Sequence, residues 1–260
     1  MVSKSIDHGS ERKVKRRQVL ERKKAIEGII RAASSFKDHL SCFPQFCHYN
    51  RNGLYVHLES RRGNKLSLCA KRYIQDLLKL NMEAHYGPEW PTEEKIKRRE
   101  MVSEEARYIF VHEISNKDPK EVSELMDKSR TCNCRGPVVG FVHYRFTMEE
   151  EVPVVYVYEL QLEPRVQGKG LGKILMQLVE LIACENKMGA VVLTVQRANS
   201  PAMDFYIGTL RYSISAISPS KVDPLGVQKS YEILCKTFDR EAQVIFEAAQ
   251  DSSSMHATLG

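Results

Sequence analysis

The residues with the clearest chemical potential lie in one stretch, Gln167-Gly168-Lys169-Gly170-Leu171-Gly172-Lys173. Between Gln167 and Gly172 every second residue lacks a Cβ, so backbone N–H groups there can come close to an anion. Beyond Gly172, Ile174, Leu175, Leu178, Leu181 and Ile182 recur at helical spacing, which predicts a helix with one packed face and with Lys173, Gln177 and Glu180 turned outward. A glycine loop that opens a helix aims free amides and the positive end of the helix dipole at bound negative charge. The chemistry this suits is the holding of a diphosphate.

The elements that must position this loop are legible on both sides. Val154 to Leu162, VVYVYELQL, has strand composition, and Pro164 breaks it. The phosphate loop of nucleotide triphosphatases needs G-x-x-x-x-G-K-[ST]; Gly168 to Lys173 is one residue short of it, and Ile174 cannot bind magnesium. The dinucleotide fingerprint G-x-G-x-x-G fails because the third glycine comes too early. The pattern [QR]-x-x-G-x-[GA] does fit, through Gln167, Gly170 and Gly172. Between this strand and this helix, it resembles the coenzyme A loop of the GNAT acetyltransferases. A second array follows: Ala190 to Val195 reads as a buried strand, then Asn199, Ser200 and Pro201 start a helix carrying Ala202, Phe205, Tyr206 and Leu210. Ser200 suits the N-cap and Pro201 the first helical position, and the array is similar to the second cofactor-side helix of that family.

RNGL at Arg51 to Leu54, Tyr86 with Glu89-Trp90, YVYELQL at Tyr156 to Leu162, KGLGK at Lys169 to Lys173, LTV at Leu193 to Val195 and SYEIL at Ser230 to Leu234 narrow the resemblance to the histone-specific N-terminal acetyltransferases of the NatD type. It spans about residues 15 to 237. It implies acetyl transfer from acetyl-CoA to the α-amino group of histone 4 and histone 2A, which begin Ser-Gly-Arg-Gly, with no metal and in the nucleus and cytoplasm. One departure bears on specificity: the family carries an aspartate for the serine-arginine end where this chain has Thr147.

Attack of an amine on a thioester requires alignment, removal of a proton and stabilisation of an oxyanion. A peptide α-amine, with a pKa of about 7.7 to 8.0, is already partly neutral near pH 7, so a modest base suffices. Glu159, just ahead of the loop, is the best candidate base. Strand alternation predicts that it shares a face with Val157 and Gln161, opposite Tyr156, Tyr158 and Leu160. The resemblance implies a substrate-binding set of Tyr86, Trp90, Tyr156, Tyr158, Thr194 and Tyr231, with Tyr86 catalytic as well. It also implies a coenzyme contact at Asn199, and pantetheine binding along the strand edge Leu160, Gln161 and Leu162. Tyr206 is a secondary catalytic candidate, as general acid toward the leaving thiolate. Glu149, Glu150 and Glu151 offer acid for a substrate arginine. Two other readings stay open: a GNAT enzyme for lysine side chains or other N-termini, and an inactive acyl-CoA-binding adaptor.

Length and composition fit this reading. The 260 residues suffice for one sizeable core, and no apolar run reaches membrane-spanning length. Seven irregularly spaced cysteines argue for reduced thiols, and Cys132 and Cys134 lack the second pair a metal would need. The net charge of +6 traces to a basic stretch between Lys4 and Lys24. That stretch reads as an import signal or the solvated face of a helix from about Val14 to Ala33, and direct nucleic-acid binding is disfavoured without a base-reading motif. The expected fold is a single α/β GNAT-like domain over residues 34–237, with a mixed central sheet of about seven strands and helices on both faces. A basic N-terminal segment over 1–33 precedes it, a surface insertion covers 115–137, and a polar, disordered tail covers 238–260.

Overall fold

Runs of β-branched and aromatic residues broken by glycine, proline and Asn-Gly turns give eight strands: β1 (His48–Arg51), β2 (Leu54–Arg62), β3 (Arg107–Glu113), β4 (Val138–Glu149), β5 (Val152–Leu162), β6 (Ala190–Gln196), β7 (Ser213–Ile214) and β8 (Tyr231–Thr237). The computed structural model that shows them describes residues 8–114, 136–225 and 229–247, the first eight of them as backbone only. The strands form one sheet in the order β1-β2-β3-β4-β5-β6-β8-β7. Every neighbouring pair is antiparallel except β5 with β6, which run parallel. The parallel pair is joined by helix α4 (Leu171–Glu185), the crossover that parallel strands require.

The sheet has one strand more than the sequence suggests, because His48–Arg51 is too short and too polar to show alternation. It is recruited by the turn at Asn52-Gly53, whose φ values of 54° and 70° suit a two-residue hairpin. The sheet closes on a short edge strand, where only Ser213 and Ile214 pair with β8.

Helices cover both faces. On one, α1 (His8–Ser35) and α4 bury Ala33, Leu171, Leu175, Leu178, Val179 and Ile182 against Val142, Tyr144, Val155, Val157 and Leu193. On the other, α2 (Leu68–Tyr86) and α3 (Trp90–Met101) bury Ile74, Leu77, Leu78, Trp90 and Met101 against Tyr108, Phe110 and Phe141. Two leucines that look core-facing in the sequence of α2, Leu68 and Leu80, are 84% and 68% exposed. The C-terminal end of α1 is tied down by Arg62 and Arg107, which donate to the carbonyl of Ser34 at 3.2 Å and 2.8 Å. These bonds satisfy a carbonyl that the last helical turn leaves orphaned.

The assignment of 238–260 to a disordered tail is corrected over its first part. After the short helix α6 (Pro219–Val222), Asp239 caps a last described helix, α7 (Arg240–Phe246), by accepting from the amide of Ala242 at 2.8 Å. Phe246 is fully buried beside Val152, Val154 and Val192. The apolar residues Ala242, Ile245 and Phe246 carry helical spacing, but the stretch is too short to stand out from its polar neighbours. The proposed insertion lies outside the described residues apart from its end at Gly136 and Pro137, and so do Cys132, Cys134 and the last residues of the chain. Among the described residues no helix is long and apolar enough to cross a membrane.

Candidate active site

The site arises where two parallel strands part. β5 and β6 pair only from Val154 with Ala190 to Val157 with Leu193; beyond that point their ends diverge and open a cleft of about 80 Å³. A β-bulge shapes its wall. Val157 lies opposite Tyr144 and Glu159 opposite His143, so Tyr158 is an extra residue on β5. The bulge overturns the expected alternation: Val157 joins the core under α1 and α4, whereas Glu159 turns to the α2 and α3 side, where Lys97 meets it. Gln161 follows Glu159 and donates from Nε2 to its Oε2 at 2.9 Å.

Glu159 is 7% exposed and lines the cleft together with Tyr86, Lys97, Tyr158, Thr194, Gln196, Asn199 and Tyr206. Lys97 Nζ is ion-paired with its Oε1 and also sits 5.3 Å from the centre of the Tyr86 ring. Burial alone would lower the lysine pKa, but the neighbouring Glu159 and Tyr86 outweigh it and raise the pKa, so the ammonium persists. Tyr86 ends α2, where Gly87 stops the helix with φ of 53°. Its phenol bonds to Gln196 and Lys97, and burial holds its pKa above the ordinary value. Tyr206 is buried as well, which pushes its phenol far up and keeps it protonated.

A second group of residues lies on the same side of the sheet, around the point where the strands part. Tyr156 and Thr194 share a hydrogen bond of 2.5 Å between hydroxyls, and burial pushes the Tyr156 phenol up to about 12. The Tyr158 ring lies between His143, stacked at 4.9 Å, and the Arg145 guanidinium at 4.3 Å. Tyr231 pairs with Gln196 across β6 and β8, near Tyr156.

The glycine loop is built as an anion cradle. Gly168 and Gly170 have φ of 70° and 85°, a left-handed conformation that residues with a Cβ rarely adopt. At Gly172 a Cβ would come 3.2 Å from the ring of Phe205, so a larger residue there would require that ring to give by a few tenths of an ångström. The hairpin of β1 and β2 braces the loop: the Tyr49 hydroxyl donates to the Lys169 carbonyl at 2.5 Å, and Asn52 Nδ2 donates to it at 3.0 Å. Fixing that carbonyl fixes the peptide plane, and with it the direction of the Gly170 amide. Gln167, Lys169 and Lys173 lie on the solvent side of the loop, whereas Leu171 is buried and anchors it.

The free edge of β5 leads from this loop into the cleft. The Glu163 amide donates to Val139 in β4 at 2.9 Å, so Leu160 and Leu162, in the alternate positions of the ladder, turn their backbone groups away from β4. The Leu162 carbonyl is taken by Asn81 Nδ2 at 3.1 Å and Gln167 Nε2 at 2.9 Å. The Leu160 groups and the Leu162 amide face the gap and suit a ligand that carries amides of its own. Together these features fit a long, amide-bearing diphosphate.

Across the cleft, Asn199, not Ser200, caps helix α5 (Ser200–Met203), accepting from the Ala202 amide at 3.2 Å and leaving its Nδ2 available. The chain continues as a π-helical turn over Asp204–Thr209. The wider turn lets the consecutive residues Phe205 and Tyr206 both face inward, Phe205 toward Gly172 and Tyr206 into the cleft.

Three expectations fail to meet in this cleft. Trp90 is 4% exposed and lies in the core under α2 and α3, its ring 5.9 Å from that of Tyr86; it supports Tyr86 and does not line the cleft. Glu150 and Glu151 form the tight turn after β4, with φ of 47° and 61°, and line a separate hollow with Arg22 and Arg240. Of the acidic run only Glu149 approaches Tyr156 and Tyr158, and its pKa is raised by burial and by Glu150. Conversely, Lys97, Gln196 and Tyr49 contribute without having been singled out in the sequence, where Asn52 stands out only as part of the RNGL motif. For Lys97 a signal existed: it stands seven residues after Trp90 and four before Met101, on the stripe of α3 that faces inward.

The acetyltransferase (GNAT) family matches residues 74–208, just over half the chain. A PaiA N-acetyltransferase from Thermoplasma acidophilum, solved with coenzyme A, is 16% identical with a TM-score of 0.45, over 70% of this chain and 99% of that one. NAA60 of Arabidopsis thaliana with a bisubstrate analogue is 13% identical with a TM-score of 0.43, at the same coverages. Naa50 of the same plant, solved with the bisubstrate analogue CoA-Ac-MVNAL, is 16% identical with a TM-score of 0.42, again over 70% and 99%. With the family matched over the stretch that carries the split strands and the glycine loop, the chain belongs to the GNAT family of acetyltransferases.

Proposed function

We propose that this acetyltransferase modifies the free α-amine of a protein N-terminus, with acetyl-CoA as donor and the Ser-Gly-Arg-Gly ends of histone 4 and histone 2A as substrates, in the nucleus and cytoplasm. The observation that carries the reading is the cleft between the parted strands, where Glu159, Tyr86 and Tyr206 come together at the end of a strand edge that leads to the glycine cradle. Acetyl-CoA, when bound, supplies the thioester whose acyl carbon the amine attacks. The amides after Gly168 and Gly170 would hold its diphosphate, and the Leu160 to Leu162 edge its pantetheine arm. Glu159 accepts the proton that the amine nitrogen loses as the C–N bond forms, directly or through one water. Tyr206, its phenol kept protonated by burial, donates a hydrogen bond to the sulfur as the C–S bond breaks, and the thiol takes its final proton from solvent.

Acidity favours an α-amine over a lysine side chain: the α-amine, with a pKa of about 7.7 to 8.0, is partly neutral near pH 7, whereas a lysine ammonium, with a pKa near 10.4, demands a stronger base than one carboxylate. Glu149, close to Tyr156 and Tyr158, supplies negative charge for the substrate arginine. The test is mass spectrometry of histone 4 and histone 2A peptides incubated with acetyl-CoA, each with a free and a blocked N-terminus. The free peptides are expected to gain one acetyl group at the first residue; acetylation of the blocked peptides would contradict the proposal.

A further inference from the structure

Helix α3 turns Trp90 and Met101, each 4% exposed, into the protein, and between them on the same stripe stands Lys97 with a side chain 13% exposed. An ammonium in such a position is costly unless it is paired and hydrogen-bonded, and an apolar side chain of similar length would pack without that cost. The partners of Lys97 are Glu159 and Tyr86, two residues assigned to the chemistry. We propose that Lys97 is a positioning residue for acetyl transfer: it neutralises Glu159 and aims its carboxylate into the cleft, so that the site receives the substrate amine in its neutral, nucleophilic form and does not clamp it as an ammonium. This inference rests on the reading of Glu159 as the base.

A peptide α-amine, with a pKa of about 7.7 to 8.0, reaches the site largely protonated at neutral pH. A buried carboxylate without a counter-charge would bind that ammonium tightly, and an opposite charge at close range shifts a pKa by about 1 to 3 units toward the charged form. The protonated amine has no lone pair to attack with. With Lys97 in place the pair is neutral overall, and each Glu159 oxygen still has a lone pair beyond those used by Lys97 and Gln161.

The other groups facing the pair do not take over this role. Tyr86 from α2, Tyr108 from β3 and Tyr206 after α5 carry phenols raised by burial, and His143 from β4 is held neutral by burial. Arg145, also from β4, lies over the Tyr158 ring and donates to the Glu100 carbonyl at 2.8 Å. Glu100 of α3, its pKa raised by burial, adds negative charge and not positive.

The experiment is the pH dependence of kcat and KM with acetyl-CoA and a Ser-Gly-Arg-Gly peptide, for the wild type and for Lys97→Met, Lys97→Gln, Lys97→Arg and Glu159→Gln. In Lys97→Met and Lys97→Gln the acid limb of kcat is expected to move up by about one unit. At pH 7, kcat should then fall about tenfold while KM for the peptide falls or holds, and turnover should recover at alkaline pH. Lys97→Arg keeps the charge and should leave the limb in place. Lys97→Gln keeps a donor for Glu159 without the charge, so it reads the effect even where Lys97→Met fails to fold. An unmoved limb in Lys97→Gln, or a rise in peptide KM at constant kcat, would overturn the proposal. Glu159→Gln separates the two layers: wild-type turnover in that variant removes the base itself, whereas loss of turnover there beside an unmoved limb in Lys97→Gln removes only the role of Lys97.

Discussion

The hydroxyl pair of Tyr156 and Thr194 ties the two diverging strands together just past their last backbone pairing. A neutral hydrogen bond contributes about 1 kcal/mol, so Tyr156→Phe and Thr194→Val should each raise the peptide KM about fivefold. The double variant should be no worse than either single one, and fully additive effects in a double-mutant cycle would show that the two hydroxyls act separately. The sequence discloses Glu159 and these tyrosines because a polar residue in a β-branched strand is conspicuous. It could not disclose which way Glu159 points, since the bulge at Tyr158 depends on how β4 pairs with β5 and leaves no local trace. Lys97 was hidden among the charges of EEKIKRRE, where only its place between Trp90 and Met101 hints that it is buried. Trp90 misleads in the opposite sense, as a motif residue whose task is to back Tyr86.

The glycine loop and its helix were legible because turn, helix opening and amphipathic face all lie within adjacent residues. Their brace was not, since Tyr49 and Asn52 lie more than a hundred residues upstream. The brace makes a prediction of its own. Tyr49→Phe removes one bond to the Lys169 carbonyl, and Asn52→Gly removes the other while remaining compatible with the left-handed turn. Each bond is worth about 1 kcal/mol, so the Kd for coenzyme A measured by isothermal titration should rise about fivefold in each variant and further in the double variant. An unchanged Kd in the double variant would mean that the loop holds its shape unaided. Helix α7 shows the limit of reading short elements: seven residues with four apolar positions resemble a polar tail until the pocket for Phe246 is visible.

In the molecule as a whole, the two helical layers meet a sheet whose centre is fully buried, and the buried histidines couple that packing to pH. His39, at 3% exposure, donates to the Ala33 carbonyl at 3.1 Å and packs on Tyr144 and Phe146. Burial lowers its pKa from 6.5 to about 4. Above pH 6.5 the ring is neutral in both the folded and unfolded chains and contributes nothing pH-dependent. As pH falls from 6.5 toward 4, the unfolded chain takes up a proton that the folded chain refuses, so stability drops by about 2 to 3 kcal/mol from this group. Denaturant unfolding across that window should show the loss, and His39→Gln should flatten part of it; an unaltered slope would place the sensitivity elsewhere, His143 being the next group in line. The basic charge of α1 lies outside this logic: its described residues from Arg16 to Ala25 are exposed, and Arg22 pairs with Glu241 of α7 at the surface.

Acetyl transfer as proposed depends most on Glu159 as the group that receives the amine proton. Turnover and coenzyme affinity measured side by side for Glu159→Gln test this most directly. Loss of a general base costs about 10²- to 10⁴-fold; the prediction is therefore a fall in kcat of at least about a hundredfold with an unchanged Kd for coenzyme A. Wild-type turnover in a folded Glu159→Gln protein that still binds the coenzyme would contradict it.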